Sequence, residues 1–387
     1  MEHFSVPRKN SGEINENRKI SLNRKQKIFF LDMVGSLVEA GIPLVKSLQL
    51  IYFQSRERAV KETCLYVKTQ IERGNNLGST SRELPRVFGN FDCAMFEMGE
   101  ATGKMGYVFV RLTEKEEKMQ EIERKVLGAM IYPMAVIFVA LLMMTGLLVF
   151  VIPRIEKIYL DAHATLPGLT QGVIAFSHFL RDYGIVTVIG LFFAGIGFKF
   201  LLRQATVLFV VDRAILGLPI FGKLIQYRIL VSFCSFLSLL LASGITIHRA
   251  LEIVSSGLGN SFYSNHIRGI IGDIRAGRHL SDAVGGEYLE KKMAGEPTDS
   301  PEMIINKERL ETFTVELSTS IKVGEQTGSL SNMLDKAGKR YEKEIDVRVK
   351  NLNALLEPIV IIVIGAGVGV IILAIMMPFF NMAKVVG

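Results

Sequence analysis

Residues 126–153 read VLGAMIYPMAVIFVALLMMTGLLVFVIP, without a single charged side chain. About 20 consecutive apolar residues carry a helix across the hydrocarbon core of a bilayer, so this stretch can span one. Residues 358–378, PIVIIVIGAGVGVIILAIMMP, are uncharged in the same way. Residues 183–198 are uncharged but short, and Lys199 interrupts them before Phe200, Leu201 and Leu202. A lysine near a span end can reach the headgroups, so a weaker span is placed at 184–202, with a hairpin or interfacial helix as the alternative.

The rest of the composition fits a mixed architecture. Of 387 residues 49% are apolar and 21% charged, and the mean hydropathy is +0.32. Such a chain is too apolar for disorder and for an ordinary soluble enzyme. Yet 45 basic and 38 acidic residues are too many for a pure bundle of spans. The net charge of +7 reads first as a topology signal. Basic residues crowd before the first span (Arg111, Lys115, Lys118, Arg124, Lys125), after the second (Arg203, Arg213) and before the third (Lys339, Arg340, Lys343, Arg348, Lys350). The positive-inside bias therefore places residues 1–127 and 203–356 in the cytoplasm, and the loop at 154–183 and the C-terminal tail outside. The basic residues are interspersed with acidic ones and Trp is absent, so nucleic acid is not an expected partner. Cys64, Cys93 and Cys234 form no CxxC pair and are expected as reduced thiols. Residues 1–21 are polar, lack the apolar core of a signal peptide, and are expected as a flexible cytoplasmic tail.

An internal repeat organises what lies between the spans. At an offset of 203, Phe30 meets Phe233, Leu37 meets Leu240, Gly41-Ile42 meets Gly244-Ile245, and Gly74 meets Gly277. Further on the offset is 225: Gly99-Glu100-Ala101-Thr102-Gly103 meets Gly324-Glu325-Gln326-Thr327-Gly328, Pro133 meets Pro358, and Pro153 meets Pro378. The change of offset marks an insertion near 285–307, GGEYLEKKMAGEPTDSPEMIINK, whose Gly, Pro, Ser and acidic residues predict a solvated loop. Each copy reads as helices: Ile28, Leu31, Val34, Leu37 and Val38 share one face, Gly41 closes that helix and Pro43 opens the next. The expected fold class is all-α: two duplicated cytoplasmic helical-bundle domains and three transmembrane helices. In order these are a first helical domain at 22–127, a span at 128–153, an outward loop at 154–183, a span at 184–202, a second helical domain at 203–356, a span at 357–380 and an outward tail at 381–387.

The paired motif is the first candidate site. Gly99 to Lys104 superficially resembles a phosphate loop, but three residues separate its glycines where four are needed, Met105 follows the lysine, and no strand precedes it. A helix–turn–helix corner accounts better for it. Gly99, Gly103, Gly324 and Gly328 supply close approach and positive φ, Thr102 and Thr327 can cap the following helix, and Glu100 and Glu325 can accept from free amides. Contact with a partner that moves the domain is the functional alternative. At the span mouths stand Tyr132-Pro133, with Pro133 expected to kink its span, and Glu357-Pro358. An interfacial place for Glu357 is favoured over a proton relay because nothing ionisable sits deeper. Gly365 and Gly369 form a GxxxG pair suited to close span packing. The six histidines show no metal-ligand spacing and no GxSxG occurs, so no catalytic residue, cofactor or metal is expected.

With these features together, the chain resembles the type II secretion F family, the inner-membrane platform proteins of type II secretion systems and type IV pili. The resemblance covers about residues 22–384. It rests on the duplicated domain, the three spans, the GE-x-TG motifs at 99–103 and 324–328, and the proline-marked span mouths at 132–133 and 357–358. The tail is short for the family and the acidic insertion is unusual in it. The resemblance implies a non-enzymatic platform in the bacterial inner membrane, with a cytoplasmic N-terminus and an outward C-terminus. It implies, as partners, a cytoplasmic hexameric secretion or pilus ATPase, pilin or pseudopilin subunits, other inner-membrane assembly proteins, the bilayer and further copies of itself. A small-molecule or ion transporter is the rival class, disfavoured because the spans carry almost no polar groups.

Overall fold

A computed structural model of the chain describes residues 20–161, 168–202, 204–219 and 221–386. Residues 1–19 of the expected tail therefore lie outside the described residues. Every regular element is helical, and no strand occurs among the described residues. In chain order the helices are α1 (Arg24–Glu39), α2 (Leu44–Gln54), α3 (Arg58–Glu72), α4 (Leu77–Arg82), α5 (Asn90–Thr102) and α6 (Met105–Gly146). A π-helical turn, Leu147–Val151, joins α6 to α7 (Ile152–Asp161), followed by α8 (Gly168–Leu201) and α9 (Ala205–Leu216). The second half holds α10 (Phe221–Ala242), α11 (Ile247–Gly257), α12 (Ser261–Arg275), α13 (Leu280–Ala283), α14 (Gly286–Ala294), α15 (Pro301–Phe313), α16 (Val315–Gln326) and α17 (Leu330–Val386).

The chain divides into two compact units. The first takes in the described residues up to Ile122 and those from Arg228 to Tyr341; the second takes in Glu123–Tyr227 and Glu342 onward. The greater part of each sequence copy thus falls in the first unit, and the same local devices shape each. Asn23 caps α1 through Gln26 N, while Gln26 reaches back to Asn23 N. Gly41 and Gly244 end their helices at φ +81° and +82°, as Gly74 and Gly277 do at +89° and +88°. The cores correspond too: the Phe30 and Phe88 rings lie 5.9 Å apart, and Phe233 and Phe313, at the matching positions, 5.3 Å. All three cysteines are buried and outside any disulfide, and burial pushes the Cys64 thiol up to about 12.

The insertion is not the solvated loop that its composition predicts. It folds as a helical hairpin, α14 and α15, around Tyr288, Met303 and Leu310, with Leu289 packed against them. Ser300 caps α15 by accepting from Met303 N at 3.3 Å, and Pro301 occupies the first turn, where its missing N–H costs nothing. Two arginines tie the hairpin down. Arg278 reaches Glu302 at 2.7 Å and also pairs with Glu287. Buried Arg309 pairs with Asp273 and donates to the Ala283 carbonyl at 3.1 Å. Arg309→Ala is expected to lower stability by about 1.5–3 kcal/mol, the usual worth of a hydrogen bond to a charged group. Thermal unfolding of the full chain in detergent, with limited proteolysis between Gly295 and Ser300, measures it; an unchanged midpoint and cleavage pattern would reject this anchor.

In the second unit α6 runs through Pro133 as one helix, and the marked bend is elsewhere. The two halves of α8, Thr170–Gly184 and Ile189–Leu201, meet at 66°. The segment expected as an outward loop is helical in its described residues, 154–161 and 168–183. The reason is an apolar stripe: Val173, Ile174 and Leu180 pack with Leu148, Ile152 and Ile371. Thr170 fastens α8 to α17 by donating to the Ala374 carbonyl at 2.9 Å. By length and apolarity Met105–Arg154 and Phe221–Ala242 can each cross a membrane, as can bent α8 if its halves count as one; Val360–Ala374 is a shorter apolar run. These fit membrane spans in different degrees. Leu230, Phe233, Cys234 and Leu237 of α10 are fully buried inside the first unit, which accounts for much of its apolarity. Leu127, Ile131, Phe138 and Met143 of α6 are instead exposed, the pattern of a surface meeting lipid.

Candidate functional site: the paired corner and its ion cluster

The two GE-x-TG motifs form matching helix–turn–helix corners, one from α5 into α6, the other from α16 into α17. Gly103 and Gly328 adopt φ +69° and +64°, which a side chain would oppose. Lys104 N donates to the Gly99 carbonyl at 3.0 Å, and Ser329 N to that of Gly324 at 2.9 Å. Gly103 N and Gly328 N each donate one turn back, at 3.4 Å, completing a Schellman closure. The turn amides are thus occupied and offer no phosphate cradle. The first glycine of each motif serves close approach. A Cβ on Gly99 would stand 2.8 Å from Val108 Cγ2, and one on Gly324 2.8 Å from Leu330 Cα.

The glutamates do not serve their own corner. Glu100 reaches across to the start of α4, accepting from Leu77 N and, at 3.1 Å, from Gly78 N. Glu325 does the same for α13, accepting from Leu280 N at 2.8 Å and Ser281 N at 3.1 Å. Each carboxylate so satisfies two of the free amides of a short helix and complements its dipole. The threonines do not cap the following helix either. Thr102 Oγ1 donates to the Met98 carbonyl and Thr327 Oγ1 to that of Val323, both at 2.8 Å. A residue already inside the last helical turn finds the i−4 carbonyl nearer than the next helix.

Sequence reading missed a charged cluster beside the first corner. Asp92, on α5, is 1% exposed. Its carboxylate accepts from Lys115 Nζ at 2.8 Å, from Lys27 Nζ, and from Gly89 N at 2.9 Å. Glu116 bridges the same lysines, at 2.9 Å to Lys27 and 3.0 Å to Lys115, and meets Arg24 at 3.3 Å. Burial alone would raise the Asp92 pKa, but the Lys115 and Lys27 ammonium groups overrule it and hold the carboxyl far below its usual range. Glu116 is lowered likewise, burial opposing and both lysines prevailing. Burial pushes Lys115 down, yet Asp92 and Glu116 raise it above its ordinary value. The second copy has Leu230, Leu317 and Tyr341 where the first has Lys27, Asp92 and Glu116, all three buried. That substitution was the available signal: charges at repeat positions whose counterparts are apolar.

The span-mouth residues are less assembled. Tyr132 and Pro358 are exposed, and the side chains of Pro133 and Glu357 lie outside the described residues. A Cβ on Gly365 or Gly369 would meet nothing within 4 Å among the described residues, so that pair makes no close helix contact with them. Gly367, on another face, is the glycine in contact, where a Cβ would lie 2.6 Å from Met144 Cε.

Comparison with known proteins matches this architecture over most of its length. The profile of the family described as type II secretion system (T2SS), protein F matches residues 30–153 and 233–378. The type IV pilus assembly protein PilC of Pseudomonas aeruginosa is 30% identical over 92% of this chain and 90% of its own. The type II secretion system protein F of the same organism is 26% identical over 92% and 82%. The protein transport protein HofC homolog of Escherichia coli is 26% identical over 91% and 82%. The matched ranges contain both corners, the ion-paired aspartate and the apolar stretches of α6 and α17, and on that coverage the chain belongs to the type II secretion system protein F family.

Proposed function

We propose that this protein is a non-enzymatic inner-membrane platform that couples a cytoplasmic assembly ATPase to the extraction and polymerisation of pilin or pseudopilin subunits. Family membership over most of the chain carries the reading, since the relatives are named for pilus assembly, type II secretion and protein transport. In this reading the two helical copies at 22–127 and 203–356 face the cytoplasm and receive the motor's motion. Continuity of the helices supports it: α6 and α17 each start at a motif corner and run without a break into an apolar stretch. A helix transmits rotation or displacement along its axis, whereas a flexible linker dissipates both.

A Gly-Ser segment inserted at Lys125 is therefore expected to abolish fibre assembly while leaving the protein at normal abundance in the membrane. Sheared surface pilin, measured against membrane-fraction protein, reads the effect; full assembly with the insertion in place would end the mechanical reading. Partner identity is tested by in-cell cross-linking and gentle detergent extraction of the tagged chain. Recovery of a hexameric ATPase with pilin-like subunits supports the platform, and recovery of a solute-binding protein instead would replace it with a transporter.

A further inference from the structure

Helix α9 is apolar without being buried. Seven of its 12 residues are Val, Leu, Ile or Phe, and only Asp212 and Arg213 are charged. Yet none of its described side chains is buried; Val210 is 59% and Leu208 39% exposed. Val207, Val210, Val211 and Ala214 form one stripe at the i, i+3, i+4, i+7 spacing, and both charged residues lie off it. An apolar helix of about 10–14 residues is ordinarily a core element or lies at a membrane interface. Exposure excludes the first. Crossing the bilayer is excluded by length, since α9 rises about 18 Å and the hydrocarbon core is about 30 Å thick.

Its place in the chain points to lipid as the cover. α9 belongs to the second unit, with the apolar stretches of α6, α8 and α17, and not with the helical copy that follows it. It starts just beyond the end of α8 at Leu201. Gln204, extended at φ −79° and ψ +127°, breaks the helix between them, so α9 is free to leave the axis of α8. The repeat itself does not ask for an apolar helix here. At the offset of 203 the counterpart of α9 is residues 2–13, EHFSVPRKNSGE, which are mostly polar. α9 also lies between the two ranges that the family profile matches. Around it stand Arg203, Arg213, Lys223 and Arg228 against Asp212, a balance suited to the anionic headgroups of a cytoplasmic leaflet.

We infer that α9 is a membrane-surface helix, lying along the cytoplasmic leaflet with the stripe of Val207, Val210, Val211 and Ala214 among the upper acyl chains. The chain between α8 and α10 is then held on the bilayer surface, and the second helical copy starts from a fixed point there. The inference rests on the reading that α8 crosses the bilayer and ends at its cytoplasmic side.

The chain contains no Trp, so a single introduced Trp reports on its own site. Full-length Val210→Trp is reconstituted in vesicles of phosphatidylethanolamine and phosphatidylglycerol whose chains carry bromine either just below the headgroups or near their ends. Phe193→Trp, at a site 63% exposed on α8, is the reference. Val210→Trp is expected to emit at shorter wavelength than free Trp and to be quenched about twofold more by the shallow bromines than by the deep ones, because a surface helix sits only about 5–10 Å into the boundary. Phe193→Trp should show the reverse order. Ala214→Trp, on the same stripe, should repeat the shallow preference and serves if Val210→Trp does not fold. Quenching of both α9 variants by aqueous acrylamide and not by bromine, with Phe193→Trp still quenched from the deep position, would overturn this inference alone. So would protection from both quenchers, which puts protein over α9, or a preference for the deep bromines, which puts it across the bilayer. Loss of bromine quenching from Phe193→Trp as well would remove the span reading of α8 together with the inference.

Discussion

Asp92→Ala is expected to lower the stability of the full-length protein by about 3–5 kcal/mol, the cost of removing one partner from a buried ion pair. The loss comes less from the bonds removed than from the charges left behind. Lys115 sits over the stacked Phe91 and Phe236 rings, at 5.0 and 5.2 Å, with little access to water. Without Asp92 it and Lys27 share only Glu116. The second copy shows another solution to the same space, with Leu230, Leu317 and Tyr341. Combining Lys27→Leu, Asp92→Leu, Lys115→Met and Glu116→Tyr should therefore recover most of the loss. Thermal or denaturant unfolding in detergent compares the three proteins. A combined variant no better than Asp92→Ala would show that the network specifies the local packing as well as neutralising itself.

The same cluster sets a pH dependence whose sign is fixed. The carboxyl pKa of Asp92 is depressed below its ordinary 3.8, so its contribution is whole above that value and is lost as pH falls through the folded one. The pKa of Lys115 is raised above 10.5, so its contribution is whole below that value and lost only in stronger alkali. The stability difference between wild type and the combined apolar variant should stay level from about pH 5 to 10 and shrink on acidification below about pH 4. A difference that changes across neutral pH would assign it to other groups.

Glu100→Ala and Glu325→Ala are each expected to cost about 2–4 kcal/mol, because each strips two backbone amides of their acceptor at the start of a short helix. Gln in place of either glutamate keeps one carbonyl oxygen but turns an amide group toward the second N–H, so about half the loss should remain. The pair separates the two readings of the motif. If its role is to hold the start of α4 or α13, unfolding midpoint and fibre assembly fall together through the Gln and Ala series. An Ala variant with an unchanged midpoint but no fibre would instead place the carboxylate against a partner.

Legibility in the sequence followed the range of the interaction. Helix ends at Gly41 and Gly74, and the corners at Gly103 and Gly328, were readable because a glycine and its following turn are local chemistry. The hairpin of the insertion was not. Its Gly, Pro and acidic residues dominate the composition, while Tyr288, Met303 and Leu310 reveal a core only once two helices have paired. The ion cluster was hidden for the same reason: Lys27 and Glu116 meet across 89 positions, and in sequence each reads as an ordinary solvated charge. At the motif, the capping chemistry of glutamate was foreseen but not its address, since Leu77 lies 23 residues before Glu100.

The π-helical turn at Leu147–Val151 gives the second unit a place where its length can change by one residue at little cost. Such a turn holds one residue more than an α-turn. Losing a single residue there returns the backbone to ordinary α-helix and leaves both flanking stripes in phase. The same loss elsewhere in α6 would rotate everything beyond it by about 100°, swinging Ile152 away from Ile174 and Ile371. Among homologous chains, single-residue differences in the length of this helix should therefore collect at this turn.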